Sequence, residues 1–142
     1  AMNTLKVLLG RGVVPVVNEN DTISTEEIKV GDNDKLSAMV ASMIRADLLI
    51  MLSDVDGLYE KDGGRFTVKI DEVTRITEKL RGLAGGARDH NISRGGMITK
   101  LNAAEIASQA SVPAVIANGQ AQDVIRRIVL DREPVGTYFH IG

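Results

Sequence analysis

Cysteine is absent from this 142-residue chain, which removes disulfides, thiolate nucleophiles and cysteine-ligated zinc and is compatible with a reducing cytoplasm. A surplus of charge is missing too. Seventeen Lys and Arg stand against 19 Asp and Glu, a net charge of -2, so no basic field draws the chain to nucleic acid or anionic lipid. No apolar run approaches the ~20 residues needed to cross a bilayer, and no basic stretch with a signal-type apolar core opens the chain. The expectation is a soluble, unexported, cytoplasmic protein whose partners are small ligands, with no nucleic acid and no membrane among them. Neither usual phosphate fingerprint occurs: there is no G-x-x-x-x-G-K-[ST] after a strand, and no G-x-G-x-x-G. Internal repeats, low-complexity tracts and linkers are likewise missing. Ala1 directly before Met2 resembles a residue left by tag cleavage and is set aside.

What is present suits one compact domain, with 44% hydrophobic residues available for a core. Leu5, Leu8 and Leu9 recur at helical spacing until Gly10 and Gly12, and the apolar run Val13 to Val17 reads as a buried strand despite Pro15. Leu36, Met39, Val40, Met43 and Ile44 form a stripe of period 3.6, predicting a helix from about Asn33 to Ala46. Leu48 to Leu52 reads as a second buried strand, followed by an irregular charged surface excursion through Lys61 to Gly64. Val68 to Val73 is a weaker strand candidate, and Ile76, Leu80, Leu83 and Ala84 mark a helix face. The polar, glycine-rich stretch Gly85 to Gly96 predicts a loop. Beyond it, Met97, Leu101, Ala104 and Ala107 line a helix, Pro113 to Ala117 a strand, Ala121 to Val129 a helix, and Gly136 to Ile141 a last short strand. Apolar strands alternating with amphipathic helices imply an α/β fold: a three-layer sandwich with a mostly parallel sheet covered on both faces.

In such sheets ligands gather at the C-terminal strand ends, and the polar residues concentrate there. Asn18, Glu19, Asn20 and Asp21 follow the first expected strand, and Lys29, Gly31, Asp32, Asn33 and Asp34 lead into the next helix. The plainer reading makes Asp32 or Asn33 a helix cap, but one cap does not account for the density of polar groups. Ser53 and Asp54 are placed to meet a ribose or phosphate, although Ser-Asp pairs are also ordinary turn formers. In the run Arg94, Gly95, Gly96, Met97, Ile98, Thr99 and Lys100, two glycines let backbone N–H groups approach an anion. A helix beginning near Met97 offers its positive end there, with Lys100 about one turn in. The plainer alternative is a glycine-rich loop beside a solvated lysine. His90 suits a solvated loop position better than a proton shuttle, and His140 still less suits catalysis. No histidine-based metal-ligand spacing occurs; magnesium held by carboxylate and nucleotide phosphates stays open.

Three segments together resemble the amino-acid kinase family, and within it the glutamate 5-kinases. They are Val14 to Asp21 (VPVVNEND), Lys29 to Asp34 (KVGDND) with Leu36-Ser37-Ala38, and Gly95-Gly96-Met97 through Thr99-Lys100. Their order and spacing agree with the family across essentially the whole chain. The resemblance implies a carbamate-kinase-like sandwich and transfer of the ATP γ-phosphoryl group to the side-chain carboxylate of glutamate, early in proline biosynthesis. It further implies that Asp21 and Asn33 contact glutamate, with Asn20 and Asp32 supporting that pocket. Asp34 would orient the catalytic lysines, and Ser53 and Asp54 would meet the adenine nucleotide. Arg94 to Lys100 would form the phosphate-side loop, Lys100 would neutralise charge on the transferring group, and Mg²⁺ would bridge the ATP phosphates.

The chain also departs from that pattern. Family members open with a strand carrying a lysine and a glycine-rich loop, which nothing before Asn3 supplies, so a single partial kinase domain is expected, inactive alone. No RNA-modification-like C-terminal domain, such as some members carry, is expected, and a residue smaller than Arg94 is expected at its position. Competing readings are a non-catalytic nucleotide-binding or interaction module, and a half-enzyme completed in trans by an N-terminal kinase half or within a homo-oligomer. Among enzymes, N-acetylglutamate or aspartate kinase is the alternative.

Overall fold

The computed structural model describes residues 2–19, 33–85 and 94–142. Asn20, Asp21, Asp32 and His90 therefore lie outside the described residues, as does most of the expected glycine-rich loop. The chain forms helix α1 (Met2–Gly10), helix α2 (Asn33–Ile44), strand β1 (Leu49–Ser53), strand β2 (Leu58–Asp62), strand β3 (Arg65–Ile70) and strand β4 (Glu72–Val73). There follow α3 (Glu78–Gly85), α4 (Arg94–Gln109), β5 (Ala114–Asn118), α5 (Val124–Val129) and β6 (Thr137–Phe139).

The main sheet runs in the order β1-β5-β6-β4, with β1 parallel to β5, β5 antiparallel to β6 and β6 parallel to β4. The mostly parallel α/β sandwich expected from the sequence is thus the fold observed. β5 is buried over four successive residues, Ala114 to Ala117, as a strand covered on both faces must be. One face packs Leu49, Met51, Ile116 and Phe139 against Ala38 and Ala41 of α2 and Leu101, Ala104 and Ala107 of α4. The other packs Val115 and Ala117 against Val124 of α5. Burial of these side chains supplies the main favourable term, about 25 cal/mol per Å² of apolar surface.

Three expectations need correction. Val13 to Val17 is not a strand: Val14 is 84% and Val16 95% exposed. Pro15 has no N–H to donate, and among the described residues no strand lies beside this segment to take its remaining hydrogen bonds. Second, the excursion through Lys61 to Gly64 is not irregular but the tip of a β2–β3 hairpin, closed by a turn at Gly63-Gly64. Third, α2 turns its alanines inward. Ala38 and Ala41 are buried while Met39 and Met43 of the expected stripe are exposed, because α2 packs closely on α4, whose buried side is also alanine-rich.

Thr137 joins hairpin to sheet. Fully buried, it accepts a hydrogen bond from the Leu58 N–H at 2.8 Å and donates its own hydroxyl hydrogen to the Ile70 carbonyl at 2.6 Å. Thr137→Val keeps the shape but leaves the Leu58 N–H unpaired, a loss of about 1–3 kcal/mol. Urea unfolding followed by circular dichroism should show that loss as a lowered midpoint at unchanged slope.

Candidate functional site

The N-terminal ends of α2 and α4 meet at Asp34. This carboxylate lies in the first turn of α2, where the helix dipole favours a negative charge, and the Ser37 hydroxyl closes the turn on its carbonyl at 2.7 Å. Lys100 Nζ donates to Asp34 Oδ1 at 3.1 Å and Oδ2 at 3.0 Å, so the ammonium straddles the carboxylate. The Thr99 hydroxyl donates to Asp34 Oδ2 at 2.7 Å, with the Gly96 carbonyl at 2.9 Å as an alternative acceptor. The side chains are mostly withdrawn from water, 13% exposed for Lys100 and 22% for Asp34. Screening is weak there, so the pair is oriented and the ammonium held at one place.

The run Arg94 to Lys100 is helical from Arg94 onward rather than a loop leading into a helix at Met97. Gly95 and Gly96 therefore fall in the first turn of α4, where backbone N–H groups have no intrahelical acceptor. Met97 and Ile98 pack against the core. An anion at the start of α4 would meet N–H groups that have no acceptor within the helix, with Lys100 in the second turn. Asn33, the first residue of α2, is exposed beside Asp34.

A second polar cluster lies at the C-terminal ends of the parallel strands β1 and β5, where α/β sheets bind ligands. The Ser53 hydroxyl donates to Asp54 Oδ1 at 3.2 Å, and the Gly119 N–H donates to the Ser53 carbonyl at 2.8 Å, tying the two strand ends together. Sequence reasoning missed three members of this cluster. Asn118 Nδ2 donates to Asp56 Oδ1 at 3.0 Å, and the Tyr59 hydroxyl donates to Asp56 Oδ2 at 3.3 Å. The register Ser53↔Asn118 was the signal that brings them together, and it is visible only once β1 and β5 are paired.

Burial, then the Asp56 charge and its hydrogen bond, push the Tyr59 hydroxyl above its ordinary value of 10.0. The folded state thus keeps this proton longer than the unfolded chain does, so Tyr59 makes stability fall as pH rises past about 10 and adds no pH dependence below it. Asp56→Asn should lower the Tyr59 titration midpoint, read by phenolate absorbance, but only in part because burial is the larger cause.

Among the described residues no group of three or more Asp, Glu or His side chains could hold a metal ion. No described helix is long and apolar enough to cross a membrane.

Residues 1–118 match the model of the amino acid kinase family. The chain belongs to that family. This amino acid kinase chain is 51% identical over 139 residues to a glutamate 5-kinase of Clostridium acetobutylicum, covering 96% of itself and 51% of that relative. It is 50% identical over 141 residues to a glutamate 5-kinase of Deinococcus radiodurans, covering 98% of itself and 38% of that relative. It spans about half or less of these curated relatives. Among solved structures, UMP kinase from Bacillus anthracis superposes with TM-score 0.63 at 17% identity, over 99% of this chain and 51% of that one. N-acetylglutamate synthase from Neisseria gonorrhoeae gives TM-score 0.55 at 21% identity over 77% and 23%. At such identities these likenesses support the fold of the kinase chain and nothing finer.

Proposed function

We propose that this chain carries the Lys100 and Asp34 part of a glutamate 5-kinase site. The reaction moves the γ-phosphoryl group of ATP to the glutamate side chain. A carboxylate oxygen of glutamate bonds to the γ-phosphorus as the bond to the β,γ-bridging oxygen breaks, giving γ-glutamyl phosphate and ADP. The observation that carries the reading is the straddled pair, Lys100 Nζ at 3.0 and 3.1 Å from the two Asp34 oxygens. Charge spreads over the phosphoryl oxygens during transfer, and an ammonium already fixed in place needs no reorganisation to meet it. Asp34 is a positioning residue here: it holds Lys100, and Thr99 holds Asp34. Asn33 and the segment bearing Asn20, Asp21 and Asp32 would take glutamate. Ser53 and Asp54, now joined by Asp56, Tyr59 and Asn118, would meet the nucleotide, whose Mg²⁺ neutralises phosphate charge when bound. The roughly 50% identity to glutamate 5-kinases supports glutamate over N-acetylglutamate or aspartate as acceptor.

The activity is proposed for the protein of which these residues form about half, with the chain alone binding nucleotide without turnover. Completion by further strands, in trans or in a homo-oligomer, is supported by the sheet order: among the described residues β1 stands at its end and pairs only with β5. Hydroxylamine traps acyl phosphates, so hydroxamate formation with ATP and Mg²⁺ tests the reading. Glutamate, N-acetylglutamate and aspartate would be compared, with this chain alone and co-expressed with the N-terminal half of the Clostridium acetobutylicum relative. Hydroxamate from glutamate in the pair is the expected result. Turnover by the chain alone would refute its dependence on a complement; preference for another acceptor would refute the substrate. ATP binding without hydroxamate in either preparation would favour a nucleotide-binding module.

A further inference from the structure

We propose that the cavity between β4, β6 and the C-terminal half of α4 binds a small carboxylate with an apolar body. Its volume is about 390 Å³, within the range of about 300–1,000 Å³ usual for small-molecule sites. Buried Val73, Ala104 and Phe139 form an apolar floor, and Ile76 packs against the same core. The rim is polar, and its charges are unevenly matched. Glu105 already holds Arg81 Nη2 at 2.5 Å, and His140 Nε2 lies 3.2 Å from Glu72 Oε2. Arg75, on the same rim, makes no ion pair or hydrogen bond among the described residues. A guanidinium offers a planar fork of donors that fits a carboxylate in bidentate fashion.

A second donor stands nearby. The Ser108 hydroxyl accepts the Gly142 N–H at 3.0 Å, which leaves its own hydrogen for an acceptor in the cavity. An apolar floor beneath two unspent donors, one of them the Arg75 guanidinium, selects a carboxylate whose body is aliphatic. A polyanion would find only one unmatched cation there, and a neutral apolar molecule would leave both donors unused. This cavity shares no residue with the Asp34 and Lys100 site, and Ser108 lies eight residues past Lys100, about 12 Å along α4. The proposal therefore does not rest on the kinase reading.

Isovalerate, a branched aliphatic carboxylate, is the probe, and isovaleramide its neutral counterpart. Each would be titrated into the ¹⁵N-labelled full chain while amide shifts are followed. The expected result is saturable shifts at Val73 to Ile76, Glu105 to Gln109 and His140 to Gly142 with isovalerate, none there with isovaleramide, and no movement at Asp34 or Lys100. Arg75 is exposed, so Arg75→Gln should leave the rest of the spectrum unchanged while weakening isovalerate about tenfold or more. No saturable shift at these residues up to about 10 mM, equal binding of the amide, or undiminished binding by Arg75→Gln would overturn the proposal.

Discussion

Lys100→Ala in the completed kinase should lower the rate of hydroxamate formation from glutamate by about 10²–10³-fold, the usual cost of removing one group that meets transition-state charge in a dry site. The direction follows from geometry. Lys100 Nζ is held by both Asp34 oxygens, and its side chain is 13% exposed, so the ammonium is fixed in place before phosphoryl transfer begins. Asp34→Asn should do less to the chemistry and more to the lysine. It keeps the Thr99 contact but removes the charge that fixes the ammonium, so Lys100 remains but is no longer held at one place. Loss of rate with little change in the glutamate KM would mark Lys100 as acting in transfer; a raised KM with unchanged turnover would reassign it to ground-state binding. Breaking the pair should also cost about 1–3 kcal/mol of stability, between the values for exposed and buried pairs. A thermal scan of each variant separates that loss from the catalytic one.

Gly136→Ala should damage folding more than any substitution in the site. Gly136 has φ +81°, and a Cβ there would sit 2.1 Å from the Ile116 carbonyl oxygen and 3.0 Å from the Ala117 Cβ. Neither neighbour can yield, since Ile116 and Ala117 are fully buried in the central strand β5. The chain must therefore move β6 away from β5, and with it Thr137, which holds both strands of the β2–β3 hairpin. Left-handed strain and overpacking together should cost about 3 kcal/mol or more. Urea unfolding that shows a midpoint within error of the parent would contradict this account of the β5–β6 junction.

The parts of the fold readable in the sequence were those whose pattern is local. Val115 to Ala117 and Leu49 to Met51 are apolar runs of strand length, and α4 buries the Leu101, Ala104 and Ala107 face that its spacing indicates. What escaped was set by partners distant in the chain. Val13 to Val17 has strand composition, yet a strand exists only where an edge accepts it, and composition does not supply one. The inward side of α2 is decided by α4, which favours Ala38 and Ala41 over the larger Met39 and Met43. In the site, the meeting of Asp34 with Thr99 and Lys100 spans 65 and 66 residues, beyond reach of any spacing argument, and entered the sequence reading only through family resemblance. Asp56, Tyr59 and Asn118 carried no motif and became visible only through the pairing of β1 with β5.

Calorimetric titration of ATP with Mg²⁺ into the 142-residue chain, its Lys100→Ala variant and its Arg75→Gln variant tests the central claim most directly. The account predicts saturable binding by the parent, affinity at least about tenfold weaker in Lys100→Ala, and no change in Arg75→Gln. Equal affinity with and without Lys100 would confine Lys100 to the transfer step, and absence of binding by the parent would contradict the assignment of this chain to phosphate handling.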